Sequence, residues 1–113
     1  MAQVELTEII TLMQHINSRL TDAIKEQYTQ AKAMSAAEKE YKVALAHKIL
    51  ELRTEGVPVT IINDLARGDE RIAELRFKRD LARSLYETAK EGMRSLRVEA
   101  NVLQSIAKYQ SDI

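Results

Sequence analysis

Gly56-Val57-Pro58-Val59-Thr60-Ile61-Ile62-Asn63-Asp64-Leu65-Ala66-Arg67-Gly68-Asp69 holds two of the three glycines and the only proline of the chain. Each breaker has a physical role. Gly56 suits the left-handed residue that closes a helix. Pro58 cannot continue a helix and restricts Val57 before it. Thr60 can cap a short helical turn over residues 61–66, which Gly68 ends. Asp69 can then cap whatever follows. Val59, Ile61, Ile62 and Leu65 give the segment an apolar side. The connection is therefore a compact plug that folds over the end of a hairpin, not a minimal turn.

Outward from this segment the pattern is helical in both directions. Over residues 5–55, apolar or small residues fall at Ile9, Met13, Ile16, Leu20, Ile24 and Tyr28. The row continues through Ala31, Met34, Ala37, Tyr41, Leu45, Ile49 and Leu52. Every step is three or four residues, which keeps the row on one helix face. Val43, Ala46 and Leu50 widen it toward the end. Ser35-Ala36-Ala37-Glu38 matches a capping box and could restart the helix. The row keeps its phase through residues 31–41 without Gly or Pro, so a continuous helix is the expectation.

Residues 70–110 read as a second helix. Leu75, Ala82, Ala89, Leu96 and Leu103 recur every seven residues, with Ile72, Tyr86, Met93, Ala100 and Ala107 as the neighbouring row. This is a heptad seam, interrupted at Arg79, where an apolar residue is expected and where an acidic partner could answer the guanidinium. Gly92 weakens the helix interior and suggests a close approach by another helix. The fold class is all-α: one helical domain over residues 1–113, built as a long antiparallel, coiled-coil-like hairpin. A two-helix seam is too narrow for these rows. Assembly into a larger helical bundle, a homo-oligomer, is the simplest way to cover them. Leu45, Ile49 and Leu52 on the first helix, with Leu75, Leu85, Leu96 and Leu103 on the second, are the expected interface residues.

Composition narrows the function further. The 113 residues include 17 basic and 17 acidic side chains. This balance argues against a dedicated nucleic-acid binder. Cysteine is absent, which removes disulfides and thiolate chemistry. No apolar run reaches the roughly 18 residues that span a bilayer, and residues 1–5 do not resemble a signal peptide. A cytoplasmic protein is expected.

The chain offers little catalytic material. His15 and His47 stand alone, without the three or four ligands of a zinc site. Glu51/Glu55, Glu70/Glu74 and Glu87/Glu91 are spaced by four, but no Glu-x-x-His accompanies them as in di-metal bundles. They read as solvated carboxylates that pair with cations, as Glu38 with Lys42, Glu87 with Lys90 and Glu91 with Arg94. No catalytic residue, metal or cofactor is assigned, and no enzymatic activity is expected. The most basic stretch offers an alternative. Arg67, Arg71, Arg76, Lys78, Arg79 and Arg83 could hold the phosphates of a nucleic acid or a cyclic nucleotide, although Glu70, Glu74 and Asp80 interleave with them.

Over residues 38–100, the run Glu40-Tyr41-Lys42-Val43-Ala44-Leu45, then Leu52-Arg53, Gly56-Val57-Pro58-Val59-Thr60 and Ala73-Glu74-Leu75-Arg76 resembles small helical proteins encoded by phages and prophages. The resemblance implies an accessory role in the host cytoplasm, through binding of a host or phage protein, with no catalytic residues to carry over.

Overall fold

A computed structural model describes residues 5–111. Three helices follow one another: α1 (Leu6–Thr54), α2 (Val59–Gly68) and α3 (Glu70–Ser111). The fold is all-α, a helical hairpin with a short helix in its connection. Helix α1 runs through Ser35 without interruption, so Ser35 is an exposed helical residue and not a cap.

The end of α1 is a Schellman motif. Gly56 takes the left-handed conformation at φ 82°. Its N–H donates to the Arg53 carbonyl at 3.0 Å, and the Val57 N–H donates to the Leu52 carbonyl at 3.1 Å. Val57 then packs against the cluster that contains Leu52. Helix α2 starts two residues earlier than the Thr60 cap implies. Pro58, at φ −56° and ψ 136°, precedes its first residue, and no side chain caps it. The Ile61 N–H donates to the Pro58 carbonyl at 3.1 Å. A residue at this position needs only its carbonyl, so proline is suited to it, and Thr60 is left exposed inside the helix.

Helix α2 does not end on a left-handed glycine; Gly56 is the only such residue among those described. Asp69, with extended backbone at ψ 133°, makes the reversal instead. Its Oδ2 accepts from the N–H groups of Arg71 and Ile72 at 3.1 and 3.3 Å, so one carboxylate caps α3 as expected.

The chain divides into two compact units: a turn unit, Gln30–Tyr86, and a terminal unit, Met1–Thr29 with Glu87–Ile113. In the turn unit Tyr41, Ile72 and Leu75 form one buried cluster, flanked by Ala44 and Leu45. Leu52, Ile62 and Ala66 form another, flanked by Leu45, Ile49 and Val57. The plug is thus α2 laying Ile62 and Ala66 onto the end of α1. In the terminal unit the buried residues are Ile9 and Ile16 on α1, and Met93 and Leu96 on α3.

Burial along α3 follows the heptad. With Ile72 at position a and Leu75 at d, the buried or half-buried residues continue through Arg79, Ala82, Tyr86, Ala89, Met93, Leu96, Ala100 and Leu103. On α1 the first half departs from expectation. Ile24 and Tyr28 are 57% and 70% exposed, whereas Ala23 and Gln27 are half-buried. Repeated steps of four advance about 40° around a helix each time, so such a row leaves the seam; alternating steps of three and four stay on it.

Candidate interaction surface

Arg79 occupies an a position of the seam, and the turn unit accommodates it within the chain. Its guanidinium lies 4.6 Å from the Tyr41 ring centroid, a cation–aromatic contact. The same group donates twice to Asp80 Oδ1, from Nε at 3.1 Å and Nη2 at 2.8 Å. The side chain is only 17% exposed. Its acidic partner is therefore its sequence neighbour, and these hydrogen bonds hold the Asp80 carboxyl below its ordinary pKa.

Ionic contacts also join the two long helices. Arg83 approaches Glu38 at 3.8 Å and Lys48 approaches Asp69 Oδ1 at 3.5 Å. Lys48 reaches Glu51 at 3.6 Å as well. The nearby Glu51 charge, followed by Asp69, raises the Lys48 pKa. The Ile72 amide bond, supported by Lys48, lowers that of Asp69. In the terminal unit Arg19 pairs with Glu99 at 3.7 Å. The helix-surface pairs Glu38–Lys42, Glu87–Lys90 and Glu91–Arg94 form at 3.4, 3.8 and 2.9 Å.

The candidate phosphate-binding residues do not converge. Arg79 is engaged with Tyr41 and Asp80, and Arg83 with Glu38. Arg76 and Arg83 share the e positions of α3, while Arg71 and Lys78 share the g positions, on the other flank of the seam. Arg67 is exposed on α2. Arg71 lines a shallow groove with His47, Lys48, Glu51 and Asp69, where acidic and basic groups offset one another. Among the described residues no group of three or more His, Cys, Asp or Glu side chains could hold a metal ion. No described helix is long and apolar enough to cross a membrane.

The expected interface residues mostly serve the hairpin itself. Leu52, Leu75 and Leu96 are buried, and Leu45, Ile49 and Leu103 half-buried. Only Leu85 stands exposed. Other large apolar side chains face outward: Val43, Leu50, Phe77 and Leu81 in the turn unit, and Val98, Val102 and Ile106 in the terminal unit. On α2, Val59, Ile61 and Leu65 do the same. Of the α3 members, Leu81, Val98 and Val102 are obscured in the sequence by the stronger a/d repeat. Their signal is a second seven-residue repeat offset from the first, with Leu81 and Val102 at c and Leu85 and Ile106 at g.

Comparison of the chain with protein-family models, with curated protein sequences and with solved structures finds no match.

Proposed function

We propose that the chain is a non-enzymatic, self-associating interaction protein of the phage-accessory kind, which works in the cytoplasm by binding a host or phage protein. One observation carries this reading: after the helices have packed on each other, large aliphatic side chains remain exposed in both units. Apolar surface of this kind on a helical protein is characteristic of an interface. Among the basic residues near the turn, Arg79 is paired with Asp80, Arg83 with Glu38 and Lys48 with Asp69. The resemblance to phage-encoded helical proteins supports the accessory role.

Size-exclusion chromatography with light scattering tests the proposal. The expected result is a defined oligomer, at a multiple of the 12.9 kDa chain mass. Absorbance at 260 nm belongs to the same measurement. The chain has four Tyr and no Trp, so its own absorbance is weak and a co-purified nucleotide or nucleic acid would stand out. A monomer at every concentration contradicts self-association. Excess absorbance at 260 nm transfers the function to phosphate recognition.

A further inference from the structure

Within the turn unit, Gln30–Tyr86, the two flanks of the seam differ in charge. On one flank the grooves beside His47 are lined by Lys39, Lys48 and Arg71 and by Glu40, Glu51 and Asp69, so cations and carboxylates are equal in number. On the other flank Arg76 and Arg83, at the e positions of α3, adjoin Arg79 at a. Lys42 joins them from α1, because it approaches Glu38 at 3.4 Å while Arg83 approaches the same carboxylate oxygen at 3.8 Å. Four cations there face two carboxylates, Glu38 and Asp80. Both carboxylates are loosely held. Asp80 lies within about one helical turn of all three arginines. The hydrogen bonds from Arg79, then the charges of Arg79, Arg76 and Arg83, lower its pKa. Yet both bonds end on Oδ1, and this is not the parallel two-oxygen fork in which a guanidinium holds a carboxylate best. Asp80 is also 53% exposed. The Glu38 contacts are longer than ordinary hydrogen bonds, and Arg83 and Lys42 are 50% and 69% exposed. Ion pairs this exposed contribute little to the fold, so incoming carboxylates can replace them at small cost.

We propose that this flank, Lys42 with Arg76, Arg79 and Arg83, docks an acidic helix of a protein partner, and that Asp80 occupies the arginines until the partner's carboxylates displace it. The proposal rests on the interaction-protein reading and names the chemistry of the partner. Arg76 and Arg83 are one heptad apart, about 10 Å along the helix. Asp or Glu residues recurring every seven positions on a partner helix match that spacing. Phe77, next to Arg76 in sequence and 62% exposed, offers an apolar border for the same helix. Charge complementarity of this kind selects partners and speeds their encounter. Because the whole chain is balanced, with 17 basic and 17 acidic residues, the attraction is local to the flank and not a property of the entire surface.

NMR titration of the isotope-labelled full-length chain tests the proposal. The probe is an alanine-based helical peptide with Glu pairs repeated every seven residues; its Gln counterpart and an oligothymidylate serve as comparison probes. Shifts are expected at residues 38–42 and 76–83, including the arginine Nε signals, with the Glu peptide and not with the Gln peptide. Arg76→Ala with Arg83→Ala should weaken binding about fivefold. Lys39→Ala with Arg71→Ala removes the same charge from the other flank and should leave binding unchanged. Asp80→Asn should tighten binding about threefold, whereas Glu40→Gln, with the same change in net charge, should not. Circular dichroism verifies that each variant is folded. Equal losses from the two flanks would mean general ionic attraction and overturn the proposal. So would equal gains from Asp80→Asn and Glu40→Gln. Tighter binding of oligothymidylate than of the Glu peptide at these residues would overturn it in favour of phosphate recognition. The mass of the unmodified chain is measured alongside: an oligomer that binds the Glu peptide nowhere overturns this surface and leaves self-association standing.

Discussion

The turn unit and the terminal unit use the same heptad seam but fill it differently. In the turn unit it contains Tyr41, Leu52, Ile72 and Leu75, closed by Ile62 and Ala66 from α2. One misfit, Arg79, is absorbed by Tyr41 and Asp80. In the terminal unit Ile9, Ile16, Met93 and Leu96 are buried, but Ala23, Gln27, Ala89, Ala100 and Ala107 occupy much of the row between and beyond them. Small and polar residues remove less apolar area from water, and the hydrophobic contribution scales with that area. The comparison teaches that a heptad continued along a whole helix does not mean uniform packing. The turn unit buries larger side chains in its seam, whereas the terminal unit fills much of its seam with small and polar ones.

Leu96→Asp is the most severe way to break the comparison. Leu96 is one of the terminal unit's few large buried residues, and an unpaired carboxylate there would cost more than about 4 kcal/mol. Thermal melting followed by circular dichroism should show the transition lost or shifted far down; an unchanged curve would sink the seam assignment. Leu75→Ala strikes the turn unit. A cavity beside Tyr41 and Ile72 should cost about 2–5 kcal/mol in denaturant unfolding. A loss under about 1 kcal/mol would mean that the cluster is loosely packed.

Gln27→Leu sharpens the contrast in the other direction. It gives the terminal seam an aliphatic residue where a half-buried amide now sits. Stability should rise by about 1 kcal/mol. A decrease would show that the amide is held by contacts worth more than burial.

The smallest effect concerns pH. The amide of Ile72, together with Lys48, lowers the Asp69 pKa below its ordinary value of 3.8. A carboxylate with a depressed folded-state pKa stabilises the fold above its unfolded pKa, and the contribution is lost as pH falls through the folded value. Asp69→Ala should therefore be less stable than the native chain at neutral pH, and the gap should close in acid, below about pH 4. A gap independent of pH would assign the effect to helix propensity alone.

Much of the fold was legible because its determinants are local. Gly56, Pro58 and Asp69 each dictate backbone geometry within a few residues, and the α3 heptad is regular enough to fix its buried face. The α1 face was harder to place. Ile24 and Tyr28 look like core residues by composition, yet the seam takes Ala23 and Gln27, since a partner helix enforces the 3.5-residue period. The short helix is longer than the expected turn over residues 61–66: it begins at Val59, because Pro58 and not Thr60 precedes it, and runs to Gly68. The interaction surface was legible only in part. Leu85 was identified, but a residue's role in intrachain or intermolecular packing depends on which seam the hairpin closes first, and the a/d row outcompetes the c/g row for α1. Arg79 was legible as the misfit of the seam, but its aromatic partner was not, because Arg79 meets Tyr41 some 40 positions away only after folding.

Native-state hydrogen exchange read by mass spectrometry tests the contrast between the units most directly. It should be run at a dilution where light scattering gives the single-chain mass. The expected result is slow exchange at residues 41–52 and 72–79, set by global unfolding, and faster exchange at residues 9–27 and 96–107, set by local opening. Equal protection of the two units in the dilute protein would contradict the account.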